Sequence, residues 1–280
     1  MLFYTKKVFT SSRSAQKKRR YLTIRASMLT TLILLLLGAL SVASWMPEIN
    51  IHTIQVIGNT TVSEEDIRAY IEKRIAGKYL YVFSRANVFL FQSRIIEREL
   101  FETFKKIKEV ELSRDTLTSV RVNIKERKPY YLWCDNSIPS GDIESCYFLD
   151  IDGYAFAPAP YFSGHVYFTF LKKFESESKT SVGTMFLPEG EFKRLISFRN
   201  TLRERELDAH SLEVLETGDY AFLLSGGTKI IFQPTQDLGM AALNLAATFD
   251  TEQFIKKKKS GLSLEYVDVR FDNKVYYRFR

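Results

Sequence analysis

Ile51-His-Thr-Ile-Gln-Val-Ile-Gly-Asn-Thr-Thr-Val-Ser-Glu-Glu-Asp-Ile67 is the stretch on which the fold of this chain turns. Its first eight residues alternate apolar and polar as a half-buried strand does, and Gly58-Asn59 ends them in a turn. A helix then starts sharply. Ser63 caps it, Asp66 stands where a capping box puts an acid, and Val62 is placed to staple onto Ile67. Ile67, Tyr70, Ile71 and Ile75 share one apolar face, and Gly77 is placed to close the helix. After a linker rich in Tyr and Phe, a second amphipathic helix is predicted from a cap at Ser93, with Ile96, Leu100 and Phe104 recurring at i, i+4, i+8. Two period-two segments follow, Val110 and Leu112 inward on one, Val120, Val122 and Ile124 on the other. The order β-α-α-β-β predicts a compact α+β unit with its helices on one face of a three-stranded sheet.

Upstream of that unit lies a different solvent problem. No charged residue occurs between Arg25 and Glu48, and Leu32-Ile-Leu-Leu-Leu-Leu37 fills the middle of the run. This matches the roughly 20 residues a helix needs to cross about 30 Å of hydrocarbon. Lys6, Lys7, Arg13, Lys17, Lys18, Arg19, Arg20 and Arg25 precede it with no acid among them, so the tail is expected to stay in the cytoplasm and the chain from about 48 onward outside. A cleavable signal peptide is the alternative, since Ser41-Val42-Ala43 offers the small residues a peptidase accepts. The long basic region and long uncharged run favour a retained anchor. Formal charge is +7, from 40 basic and 33 acidic residues, and with the tail cations set aside the outer part is close to neutral. Bulk charge therefore argues against nucleic-acid binding by the outer part.

From Tyr130 to Arg280 the pattern is mainly β. Cys146-Tyr-Phe-Leu-Asp-Ile-Asp-Gly-Tyr-Ala-Phe156 reads as a hairpin turning at Asp152-Gly153, and Ser225-Gly226-Gly227 as a second turn between Ala221–Leu224 and Thr228–Phe232. Helices are expected over residues 189–206, with Phe192, Leu195, Ile196, Arg199 and Leu202 on one face, and over 236–249; two strands end the chain. Pro158-Ala-Pro160 suggests a loop, and Lys256-Lys-Lys-Lys259 a solvated one, with lipid head groups or an acidic partner as its alternative. Cys134 and Cys146 fall on the outer side, where a disulfide closing so short a loop contributes about 3 kcal/mol; two buried thiols are the alternative. No metal is expected, because His52, His165 and His210 show no ligand spacing with the cysteines.

Catalytic readings fare poorly. Phe148-Leu-Asp-Ile-Asp-Gly resembles the Asp-x-Asp-Gly of haloacid-dehalogenase phosphatases, yet no Asp-Asp pair follows to hold Mg²⁺, and Phe156-Ala-Pro-Ala-Pro forbids the helix that should come next. As an EF-hand it fails at Tyr154, where an oxygen ligand belongs. No Gly-x-Ser-x-Gly or phosphate-cradling glycine loop occurs. The expectation is a non-enzymatic protein with no cofactor and no small-molecule substrate.

The strings Ile54-Gln-Val-Ile-Gly-Asn59, Val62-Ser-Glu-Glu-Asp-Ile67 and Val122-Asn-Ile-Lys-Glu-Arg-Lys-Pro129 resemble the POTRA domain of the FtsQ/DivIB cell-division proteins. Tyr266-Val-Asp-Val-Arg-Phe-Asp-Asn-Lys-Val-Tyr276 resembles the Asp-x-Arg strand of that family's second, β-rich domain. The layout is similar too: basic cytoplasmic tail (1–25), transmembrane helix (26–47), POTRA domain (49–128) and β domain (129–280). The resemblance implies a divisome scaffold in the plasma (inner) membrane, single-pass and N-inside, placed at the septum. It would bind FtsB (DivIC) and FtsL and through them regulate septal peptidoglycan synthesis by FtsW and FtsI. The partner-binding residues it implies are Tyr266, Asp268, Arg270, Val275, Tyr276 and Tyr277. Two alternatives stand beside it: a POTRA-type polypeptide-binding module of secretion or envelope assembly, and a membrane-anchored hydrolase.

Overall fold

A computed structural model describes residues 12–135, 146–160, 162, 164–173, 181–271 and 274–280. Lys6 and Lys7 of the basic tail, and Asp272 and Asn273 of the last string, lie outside the described residues. The chain divides into two compact units: the first runs to Phe101 and includes Glu109–Ile124, and the second comprises Glu102–Lys108 and Lys125–Arg280.

Helix α1 (Ser12–Ser44) opens the first unit. From Gln16 onward it is long and apolar enough to cross a membrane, and its Leu and Ile side chains are exposed along its length. In water such a surface would be costly at roughly 25 cal/mol per Å²; in hydrocarbon it is at home. A 3-10 turn (Pro47–Ile49) leads into β1 (Thr53–Ile57). Gly58 stops that strand at φ +89°, a conformation glycine adopts freely, and a Cβ there would sit 2.2 Å from the Ile124 carbonyl oxygen. Helix α2 (Glu64–Ile75) is capped by the Ser63 side chain, which accepts from the Asp66 N–H, and buries Ile67, Ile71 and Ile75. A short hairpin, β2 (Lys78–Tyr79) and β3 (Phe83–Ser84), precedes α3 (Ser93–Thr103). Ser93 is already helical, and the first helical N–H groups, those of Ile95 and Ile96, donate to the Gln92 carbonyl, so the expected cap is displaced by one residue. Strands β4 (Ile107–Arg114) and β5 (Ser119–Glu126) complete a sheet of order β1-β5-β4, with β1 parallel to β5. Val120, Val122 and Ile124 are buried on β5, while on β4 Leu112 is buried and Val110 only half-buried.

The second unit holds one mixed sheet of nine described strands. They are β6 (Tyr131–Cys134), β7 (Cys146–Leu149), β8 (Ala155–Ala159), β9 (Phe168–Leu171), β10 (Ala209–Val214), β11 (Tyr220–Leu224), β12 (Lys229–Phe232), β13 (Leu264–Phe271) and β14 (Lys274–Phe279). Their order is β14-β13-β12-β11-β10-β9-β6-β7-β8. Helices α4 (Glu189–Arg203), α5 (Leu238–Phe249) and α6 (Glu252–Lys259) complete the unit. Phe192, Leu195, Phe198 and Leu202 of α4 and Ala241, Ala242 and Leu245 of α5 join the sheet's inner residues in one core. Aromatic pairs thread it, Phe170 with Phe192 at 5.3 Å and Phe222 with Phe232 at 5.0 Å, each pair adding about 0.5–1.5 kcal/mol beyond its burial.

Two features differ from the sequence reading. Pro158 lies within β8 rather than in a loop, which the sheet tolerates because β8 is its last strand and one side of it needs no N–H donor. The lysine run is not a loop but the last turn of α6, started by Thr251, whose hydroxyl accepts from the Phe254 N–H. Cations suit a helix C-terminus, and the single apolar turn Phe254 gives that helix its footing. Cys134 and Cys146 pair directly across β6 and β7, their Cα atoms 4.2 Å apart and their sulfurs joined.

Candidate partner-binding edge

Strand β13 lies between β12, to which it is parallel, and β14, to which it is antiparallel, with Val267 opposite Tyr277 and Asp268 opposite Tyr276. No described strand flanks β14 on its other side, so it ends the sheet. Arg280 exchanges both backbone bonds with Ser263, at 2.9 and 3.2 Å. The alternation of an antiparallel ladder then aims the N–H and C=O of the neighbouring Phe279 away from β13, to the outer side of the sheet edge.

The side chains of β14 alternate strictly: Lys274, Tyr276 and Arg278 are exposed, Val275, Tyr277 and Phe279 half-buried. Val275 and Tyr277 pack on the core. The Tyr277 ring meets Phe254 edge-on at 5.3 Å, and Phe254 stacks on Phe249 at 4.4 Å, so Tyr277 anchors α6 to the sheet. Lys257, from the lysine run, holds its ammonium 5.6 Å from the same ring's centre. Tyr276 faces the opposite way. It is 49% exposed and meets the 48%-exposed Phe271 edge-on at 5.1 Å, an aromatic pair standing in solvent beside the open edge. Phe271 carries no periodic signal that singles it out from its strand neighbours; only the bulge between Asp268 and Phe271 turns it toward Tyr276.

Asp268 and Arg270 sit two apart and therefore share a face. The Arg270 guanidinium donates from Nε and Nη2 to Asp268 (2.9 and 2.6 Å) and from Nη1 to Asp219 (2.7 Å). These hydrogen bonds raise its pKa further above the ordinary arginine range. The Asp-x-Arg string is thus a clamp tying β13 to the turn before β11, with Asp268 buried and the Arg270 donors committed to Asp268 and Asp219. Tyr266 lies mid-sheet, opposite Lys229 and Arg278.

The opposite edge of the sheet is covered at its start and blunted by a proline. Pro158 supplies no N–H there, and residues 183–186 bond along the start of β8: Ala155 N–H to Thr184 O at 2.9 Å, Gly183 N–H to Ala155 O at 2.7 Å, Phe186 N–H to Gly153 O at 2.9 Å. A cavity of about 790 Å³ opens next to the end of β14, lined by Leu224, Phe254, Lys258, Leu264 and Phe279 among others.

The acidic string sits in the β7–β8 turn. Asp150 Oδ1 accepts from the N–H groups of Asp152 and Tyr154 (2.9 and 3.0 Å), its Oδ2 is paired with Arg127, and Asp152 is bonded to Lys108 at 2.7 Å. That hydrogen bond to Lys108 lowers the Asp152 pKa. Gly153, at φ +84°, lies so close to Phe192 that a Cβ would meet its ring at 2.7 Å. His165 and His210, distant in sequence, stack at 3.8 Å, and burial together with His165 lowers the His210 pKa. Among the described residues no group of three or more His, Cys, Asp or Glu side chains could hold a metal ion. No protein-family model and no curated protein matches this chain.

Proposed function

We propose that this chain is a membrane-anchored, non-catalytic scaffold of the bacterial division machinery, of the kind the FtsQ/DivIB resemblance implies. On this reading α1 is the inner-membrane anchor with its basic end in the cytoplasm. The β1-α2-α3-β4-β5 unit, with β1 parallel to β5 in the order β1-β5-β4, is a POTRA domain. The nine-stranded unit is the β domain that recruits FtsB (DivIC) and FtsL, and through them FtsW and FtsI, at the septum.

One observation carries the proposal: of the sheet's two ends, β8 is blunted by a proline and covered at its start by a bonded segment, whereas β14 has no described strand on its outer side and is flanked by Tyr276 and Phe271. Free edges are normally blunted, so an aromatic-flanked open edge fits strand addition, in which backbone bonds supply affinity and adjacent side chains specificity. The partner's strand would pair with β14 and rest an apolar side chain on the Tyr276–Phe271 pair. The test is a pull-down from dividing cells with the full chain and with residues 274–280 deleted, alongside imaging of a fluorescent fusion. A midcell ring, and loss of the FtsB-like partner on deletion with filamentous cells and unchanged membrane association, is the expected result. Wild-type partner recovery by the deletion variant would move the binding surface elsewhere, and uniform envelope fluorescence would remove the septal role.

A further inference from the structure

The hairpin β2–β3 has an unusual tip for a soluble domain. Its turn, closed by the Val82 N–H donating to the Tyr79 carbonyl at 3.2 Å, places Leu80 at φ +49° and Tyr81 at φ +65°. Turns with two positive φ angles are the province of Asn-Gly, and bulky residues are strained in them. Leu80 and Tyr81 also point into solvent, Tyr81 being 92% exposed, with Val82, Phe89 and Leu90 exposed nearby. Nothing in the fold of the first unit requires a leucine and a tyrosine there.

The tip is fastened to the end of α1. Ser41 Oγ and Trp45 Nε1 both donate to the Val82 carbonyl, at 2.8 and 2.9 Å. The Ser84 N–H donates to Ser44 Oγ at 3.2 Å, and Asn87 Nδ2 to the Ser44 carbonyl at 3.2 Å. Ser41 lies one turn inside the helix end, within the uncharged run. The hairpin therefore does not hang beyond the apolar helix but lies against its last turn.

We infer that the hairpin tip, Leu80 to Val82, is embedded in the outer leaflet's interfacial layer beside α1, with Phe89 and Leu90 resting on the same lipid. Continuity with the apolar helix selects lipid as the occupant. The chemistry agrees in three ways. Tyr and Trp are favoured where one end of a ring is apolar and the other wet. At the turn the Val82 carbonyl has two donors and its N–H an acceptor, which lowers the cost of placing that peptide near hydrocarbon. Lys78, whose ammonium is 5.8 Å from the centre of the Trp45 ring, and the exposed Arg85 stand at the base of the hairpin, at the height of lipid phosphates. The inserted hairpin is a second point of contact, which fixes the rotation of the first unit about α1. This rests on α1 as an anchor and not on partner binding by β14.

The test uses the full chain in vesicles of phosphatidylethanolamine and phosphatidylglycerol, with no other protein present. Single cysteines at Tyr81→Cys, Leu35→Cys and Asn123→Cys are labelled with an environment-sensitive fluorophore under non-reducing conditions that keep Cys134–Cys146 closed. Asn123 is the aqueous control, since it pairs with Ile57 at the far end of β1 from α1. At position 81 the label should emit to the blue of position 123, be quenched several-fold less by aqueous iodide, and be quenched more by nitroxides near the head group than by nitroxides deep in the chains. Iodide quenching at 81 equal to that at 123, with 35 still protected, would overturn the insertion while leaving the anchor intact. Exposure of both 81 and 35 would overturn the anchor and the insertion together.

Discussion

A carboxylate only 2% exposed, such as that of Asp150, survives burial because an arginine and two backbone N–H groups surround it. Asp150→Ala leaves the Arg127 guanidinium without its carboxylate and the turn without its acceptor, so a loss of about 3–5 kcal/mol of unfolding free energy is expected in denaturant titrations followed by Trp133 fluorescence. Both oxygens of Asp150 are engaged, Oδ1 by two N–H groups of the hairpin turn and Oδ2 by Arg127. His210 makes the corresponding prediction for pH. Its folded pKa lies below the ordinary value because burial and the stacked His165 disfavour the imidazolium. The unfolded chain takes up that proton near pH 6.5 and the folded chain only at lower pH, so unfolding binds a proton in between. Stability should be flat above neutrality and fall as pH drops through about 6.5 toward the folded value, and His210→Gln should reduce that fall in thermal melts at pH 5.5 and 7.5.

At the level of the element, β14 separates two tyrosines that adjacent positions in the sequence left equivalent. Tyr277 is turned inward onto Phe254, so Tyr277→Ala should cost about 2 kcal/mol of stability and loosen α6. Tyr276 is turned outward, so Tyr276→Ala should leave the melting transition unchanged and weaken binding of the proposed FtsB-like partner about thirtyfold, the equivalent of about 2 kcal/mol, in a binding titration. The reverse pattern, with Tyr277 controlling binding alone, would refute strand addition at this edge. The Gly58 turn makes a sharper demand. Gly58→Ala pushes a Cβ onto a backbone oxygen in a left-handed conformation, and a loss of about 3 kcal/mol is expected by chemical denaturation.

For the whole molecule, the proposed N-inside topology sets which side of the membrane each part would meet. A reporter active only outside the membrane should work when fused after Arg280 and fail when fused before Thr23. Material folded outside the cytoplasm should show Cys134 joined to Cys146 in non-reducing mass spectrometry, and the double serine variant should lose about 3 kcal/mol. Recovery of a chain beginning at Ser44 would instead indicate cleavage of the apolar segment.

Periodicity was enough to read α1, β1, α2, the β7–β8 and β11–β12 hairpins and the last two strands, because each has one wet and one dry face, or none wet at all, written in a local pattern. Strand β6 escaped that reading: all four of its residues are buried, so the alternation that betrays a strand is absent. Pro158 misled because proline's meaning depends on whether its strand has a neighbour on both sides, which no local window contains. The candidate edge was legible only as a region. That β14 has no described strand beyond it while β8 is covered at its start, that Arg270 is committed to Asp268 and Asp219, and that Tyr276 rather than Tyr277 faces outward follow from strand order and a bulge. Those depend on pairings between residues far apart in the chain, and only the tertiary structure decided them.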